Sequence, residues 1–153
     1  MEGPNLFIGI DPGKSGGICV TNGTTSICSK CPGTLADMVD VTRAMLEIDS
    51  NPFAVIESVH SMPGQGVVST FTFGTNYGQW LGILASLQVP YIQVTPQTWM
   101  KVYGTMPRDK TARKNHLKHL AQQRYPKIPI TLATADAVLL AHYGMITYNY
   151  VSK

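Results

Sequence analysis

Leu6-Phe7-Ile8-Gly9-Ile10-Asp11-Pro12-Gly13-Lys14-Ser15-Gly16-Gly17 sets an apolar run against one carboxylate and follows it with a glycine-rich turn. The run reads as a strand, and Pro12-Gly13 ends it. Asp11 therefore stands at a strand end. The pattern recurs twice. Glu57 closes Phe53-Ala54-Val55-Ile56 and is the one formally charged residue between Asn51 and Met100. Asp136 is the one formally charged residue between Lys127 and Lys153. An isolated carboxylate beside apolar sequence is costly to desolvate unless a cation meets it. Three of them, from three distant parts of the chain, suggest convergence on a shared cation and so a carboxylate–metal site.

Working outward, Gly17–Thr21 and residues 25–29 read as two more strands, with Asn22-Gly23 predicting a two-residue hairpin between them. Thr34 is placed to cap a helix over residues 35–48, where Leu35, Met38, Val39, Thr42, Met45 and Leu46 fall on one stripe. A fourth strand is expected over residues 53–59 and a Gly/Pro-bearing loop over residues 60–70. A helix over residues 76–88 follows, with Trp80, Leu81 and Leu84 on its buried side. A fifth strand spans residues 89–95 and stops at Pro96. Short and longer helices are expected over residues 97–103 and 111–125, and a last, almost wholly apolar helix over residues 131–148. The order predicts an α/β fold: one domain over residues 1–153, with a mixed five-stranded sheet and helices on both faces.

Bulk properties agree. At 153 residues, 44% hydrophobic and 14% charged, the chain is long enough to bury a core. No run approaches the ~18 apolar residues of a membrane span, and the N-terminus lacks the features of a signal peptide, so a cytoplasmic location is expected. Residues 101–127 carry eight of the twelve basic residues against one acid, a segment of +7 in a chain of +3. Such a block is the electrostatic footprint of a phosphate polymer partner. Cys28 and Cys31, paired with His116 and His119, have the makings of a zinc site, but ordinary reduced thiols at Cys19, Cys28 and Cys31 are the preferred reading.

Two superfamilies suit the segment from Phe7 to Gly17: nucleotide-binding proteins of the actin and sugar-kinase type, and nucleases of the ribonuclease H type. The first needs two such domains and more chain than this, so length favours the nuclease. The remaining motifs sharpen the comparison. Ile8-Gly9-Ile10-Asp11-Pro12-Gly13 is followed by Val55-Ile56-Glu57, Met62-Pro63-Gly64-Gln65-Gly66, and Phe73-Gly74 with Gly78. Then come Val94-Thr95-Pro96-Gln97-Thr98-Trp99, Asp109-Lys110, and Ala135-Asp136-Ala137 with Leu140-Ala141. In that order and spacing, over nearly the whole chain, they resemble the RuvC-type Holliday-junction resolvases, particularly their compact phage-like branch.

The resemblance implies a ribonuclease H-like fold, a homodimer, and paired symmetric nicks in four-way junction DNA. It also implies Mg²⁺ or Mn²⁺ on carboxylates, two ions per active site about 3.5–4 Å apart. Asp11, Glu57 and Asp136 would be the metal ligands and catalytic acids, and hard oxygen donors suit Mg²⁺. Lys110 would contact the phosphate or the transition state. Gln65, Ser69 and Phe71 would lie near the cut strand, Phe71 by stacking on an unpaired base. Lys101, Arg108, Arg113, Lys114 and Lys118 would join Lys110 in holding the DNA backbone. His60 and His142 read as packed rather than catalytic.

One departure stands out. The family often carries a further ligand about one helical turn before the residue matching Asp136, and here Ala133 occupies that position. Three acids suffice, or a ligand comes from elsewhere, or an alanine has replaced the ligand and silenced cleavage. The alternatives are accordingly a catalytically silent junction-binding module and a ribonuclease H acting on RNA–DNA hybrid.

Overall fold

Five strands form one sheet in the order β3-β2-β1-β4-β5. They are β1 (Leu6–Asp11), β2 (Gly17–Thr21), β3 (Ser26–Lys30), β4 (Pro52–Glu57) and β5 (Tyr91–Val94). The helices are α1 (Leu35–Leu46), α2 (Val67–Ser86), α3 (Pro96–Met100), α4 (Lys110–Arg124) and α5 (Ala135–Val151), with a 3₁₀ turn at Lys101–Tyr103. The computed structural model describes residues 3–58 and 64–151. Val59, at the end of the expected fourth strand, and His60, Met62 and Pro63 of the expected loop and motif lie outside the described residues.

The sheet is mixed because its connections differ. Tight turns join β1, β2 and β3 as antiparallel neighbours, whereas β1–β4 and β4–β5 are parallel and crossed over by α1 and α2. Strand alternation sends Leu6, Ile8, Ile10, Ala54 and Ile56 to one face, where Met38, Met45, Trp80, Ile83 and Leu84 of α1 and α2 bury them. Val55 and Cys19 face the other way, into a second core with Trp99, Leu117, Ala121 and the inner side of α5.

Several expectations need correction. The β2–β3 connection spans four residues, 22–25, because Thr21 pairs with Ser26. Its turn is closed by the Asn22 side chain, whose Oδ1 accepts from the backbone N–H groups of Thr24 (2.9 Å) and Thr25 (2.7 Å). Helix α2 starts at Val67, capped by Gly66, so the expected loop is shorter and Ser69, Phe71 and Phe73 are helical. The last helix starts at Ala135 rather than residue 131. Before it, Thr131 O accepts from Thr134 N and Ala135 N in a capping turn. The cysteines are not all reduced thiols. Cys19 and Cys28 stand opposite each other on β2 and β3 and are joined as a disulfide. Directly opposed strand positions bring Cβ atoms close enough for that bond. Cys31 is free and buried. With Cys28 so paired, the Cys28–Cys31 half of a zinc site is gone.

Candidate active site

Strand pairing places the first two carboxylates. Ile10 pairs with Ile56 in the parallel β1–β4 ladder, so the next residue on each strand is an acid: Asp11 and Glu57. Since Ile10 and Ile56 point toward α1 and α2, alternation turns both acids to the α5 side. Helix α5 brings Asp136 in its first turn. Two glycines let that helix lie on the sheet. A Cβ on Gly9 would fall 1.9 Å from Ala137 O, and one on Gly144 would fall 2.9 Å from Val55 Cγ2. Gly17, which pairs with Asp11, packs the same way under the turn before α5, where a Cβ would come within 2.8 Å of Ala133 O. The three isolated acids of the sequence thus come near enough, where β1, β4 and α5 converge, for Asp11 to feel the charges of both Asp136 and Glu57.

Their electrostatics are those of carboxylates with too little positive charge. Asp11 is held well above the usual carboxylate range, first by burial and then by the negative charges of Asp136 and Glu57, with Lys114 pulling the other way. Glu57 is pushed up to about 7 by burial; a hydrogen bond from Trp99 Nε1 (2.7 Å) to its Oε2 opposes this, and Asp136 adds to it. Asp136 is raised to about 6 by burial, restrained by Lys114 and Arg113. Mutual repulsion and desolvation together favour protons or a multivalent cation at such a site. Among the described residues no three His, Cys, Asp or Glu side chains already stand as a ready-made ligand set. The acids repel one another, so an ion would have to draw them together. Their hard oxygen donors and unneutralised charge fit Mg²⁺ or Mn²⁺.

Glu57 and Asp136 line a cleft of about 660 Å³ together with the basic residues Lys101, Lys110, Arg113 and Lys114, while Asp11 lies outside that lining. Asp109 caps α4 through Ala112 N (2.8 Å), which fixes where that wall begins. Arg113 also ties down the loop before α4, donating to the carbonyls of Pro107 (3.3 Å) and Arg108 (3.2 Å). The other sequence-predicted residues lie elsewhere. Lys118 and Ala133 share a separate depression with Cys28 and Lys30. Arg108, Gln65 and Ser69 are exposed. Phe71 is 76% exposed and edges a third depression with Lys14, Lys30 and Asn76.

His142 lies apart from the cleft lining, hydrogen-bonded at Nδ1 to Tyr125 Oη (2.8 Å), with its ring tilted against that of Tyr103 at 6.3 Å between centroids. Burial and the neighbouring Arg124 lower its pKa to about 4, so at neutral pH it is a packed, uncharged ring, as the sequence suggested. Trp99, quoted in the sequence only as part of a motif and given no role there, is the hydrogen-bonding neighbour of Glu57. A signal was there, since a buried indole N–H needs an acceptor.

No protein-family model matches the chain, and no curated protein matches it. Among solved structures the similarity is clear. Thermus thermophilus RuvC in complex with a Holliday-junction substrate superposes with a TM-score of 0.66 at 15% identity, over 95% of this chain and 95% of that one. A second Thermus thermophilus RuvC structure gives 0.61 at 14% identity, over 95% of this chain and 96% of that one. The fold is therefore that of the RuvC-type resolvases, the ribonuclease H-like α/β architecture expected from the sequence.

Proposed function

We propose that this chain is a structure-selective DNA endonuclease that resolves four-way junctions by paired symmetric nicks, with Asp11, Glu57 and Asp136 holding Mg²⁺ or Mn²⁺. The observation that carries this reading is the cleft in which desolvated carboxylates face a wall of lysines and arginine on a RuvC fold. Divalent ions held there (two, on the family's pattern) would neutralise charge on a phosphodiester and lower the pKa of a water so that it attacks as hydroxide. The chain's own residues supply the rest. Lys101, Lys110 and Lys114 attract and orient the phosphate backbone across from the acids. Lys110, first residue of α4, is the best placed to offset charge building on the phosphate. Arg113 keeps the preceding loop in place, and Arg108 and Lys118 extend the basic surface beyond the cleft. Phe71, exposed on α2, has a free aromatic face for an unstacked base, with Gln65 and Ser69 on the same approach. Two symmetric cuts need two sites related by a two-fold axis, so the active form is a homodimer.

A silent junction-binding module is the second reading, motivated by Ala133. The three acids already crowd one another electrostatically, which favours the active enzyme. The test uses a labelled synthetic four-way junction with Mg²⁺ and with chelator, beside duplex DNA and RNA–DNA hybrid. The expected result is symmetric, metal-dependent nicks confined to the junction. Binding without cleavage, restored by Ala133→Asp, would establish the silent module instead. Preferred cutting of the hybrid would make the chain a ribonuclease H.

A further inference from the structure

Trp99 is fully buried on the short helix α3, 42 residues from Glu57 in sequence, and its indole Nε1 donates to Glu57 Oε2 at 2.7 Å. A carboxylate has about four lone-pair sites; this bond occupies one oxygen and leaves Oε1 for other partners. The indole also meets the Tyr103 ring in an edge-to-face arrangement, with centroids 6.1 Å apart. Tyr103 in turn donates its hydroxyl to Leu139 O at 2.5 Å. Leu139 lies three residues beyond Asp136 on α5, and Arg124 sits 5.4 Å over the Tyr103 ring. A continuous line of contacts therefore joins the acid on β4 to the helix bearing Asp136.

We propose that Trp99 is a positioning residue: its N–H fixes which oxygen of Glu57 faces the cleft, and its packing on Tyr103 sets Glu57 against Asp136. Trp99 does not ligate, yet the site's affinity for a divalent cation depends on it. This inference rests on the metal-dependent reading of the cleft. A phenylalanine at the position would fill most of the space and supply no donor, so the N–H is the separable part of the role. Partners that orient metal ligands from behind are typically worth about 10–100-fold in metal affinity.

The experiment titrates metal-stripped protein at pH 8 with Mn²⁺, following free ion by electron paramagnetic resonance, for the wild type, Glu57→Gln and Trp99→Phe. The expected result is Glu57-dependent binding in the wild type and about tenfold weaker binding in Trp99→Phe, with unfolding temperatures in chelator within a few degrees of each other. Wild-type binding that Glu57→Gln weakens but Trp99→Phe leaves intact would overturn the positioning role alone. No Glu57-dependent binding in the wild type would overturn the metal reading and the inference with it. A second measurement avoids any folding defect at position 99. Trp80 Nε1 is buried and has no hydrogen-bond partner among the described residues, so Trp80→Phe leaves Trp99 as the single tryptophan. Its emission should change over the Mg²⁺ range that supports cutting, and a flat response would overturn the proposal.

Discussion

Gly9 on β1 lies directly beneath Ala137 on α5, so close that a Cβ at position 9 would stand 1.9 Å from the Ala137 carbonyl oxygen and 2.4 Å from Ala141 N. Both neighbours are backbone atoms, which cannot swing aside as a side chain would. Helix α5 must therefore lift to admit even a methyl group, and Asp136 would move with it. Gly9→Ala is expected to cost about 1–3 kcal/mol or more, as overpacked cores do. Thermal unfolding should show a fall of roughly 2–12 °C at about 2–4 °C per kcal/mol. An unchanged melting temperature would mean that α5 does not rest on β1 as described.

The raised carboxyl groups make a signed prediction about pH. Glu57 rises from 4.5 to about 7 and Asp136 from 3.8 to about 6, so between these limits the folded, metal-free chain binds more protons than the unfolded one. Stability from this site is then fully present below about pH 4 and is lost as pH rises through about 7. Divalent ions compete with those protons, so stabilisation by Mg²⁺ should grow over the same range. Melting temperatures in chelator and across a Mg²⁺ titration at pH 5 and pH 8 test this. A Mg²⁺ effect as large at pH 5 as at pH 8 would contradict it.

Neutralising any one acid should separate cutting from folding. Asp11→Asn, Glu57→Gln and Asp136→Asn each remove a hard oxygen donor, and each also relieves repulsion among desolvated charges. Cleavage of a four-way junction should fall by at least about 100-fold, equivalent to roughly 2.7 kcal/mol of transition-state stabilisation. Junction binding should persist, and the melting temperature in chelator at pH 8 should rise or hold. Loss of folding in all three variants would mark the acids as structural.

What the sequence made legible follows from how far each signal reaches. Asp11, Glu57 and Asp136 stand alone in uncharged stretches, so each was visible without knowledge of its neighbours. The succession of strands and helices along the chain followed from turn residues and apolar runs, whereas the order of the strands in the sheet did not. Helix α2 starts nine residues before the expected residue 76: Val67-Val68 and Gly74 are poor helix formers, and burial of Trp80, Ile83 and Leu84 further along the same helix outweighs them. The Cys19–Cys28 disulfide and the Trp99–Glu57 hydrogen bond depend on strand register and on contacts between distant segments. Neither has a local signature. The basic stripe on α4 was visible, but its division was not: Lys110, Arg113 and Lys114 line the cleft while Lys118 turns to a different depression.

That division predicts graded effects on DNA binding. Lys101 and Lys110 line the cleft from two different segments, the 3₁₀ turn and the start of α4, and both are exposed, so either can neutralise a phosphate without first being desolvated. Each such contact releases counterions, and its removal lowers the slope of log affinity against log salt by about 0.9 on duplex-like arms. Lys101→Ala and Lys110→Ala should each weaken junction binding and flatten the salt dependence by nearly one, while Lys110→Ala also lowers the cleavage rate at saturating protein. Lys127→Ala, on a depression with Arg124 and Tyr125, should leave both nearly unchanged. Fluorescence anisotropy across a salt series, paired with single-turnover cutting, separates these outcomes. If Lys127→Ala weakened binding as much as Lys110→Ala, the DNA would be held by the general basicity of residues 101–127 rather than by the cleft wall.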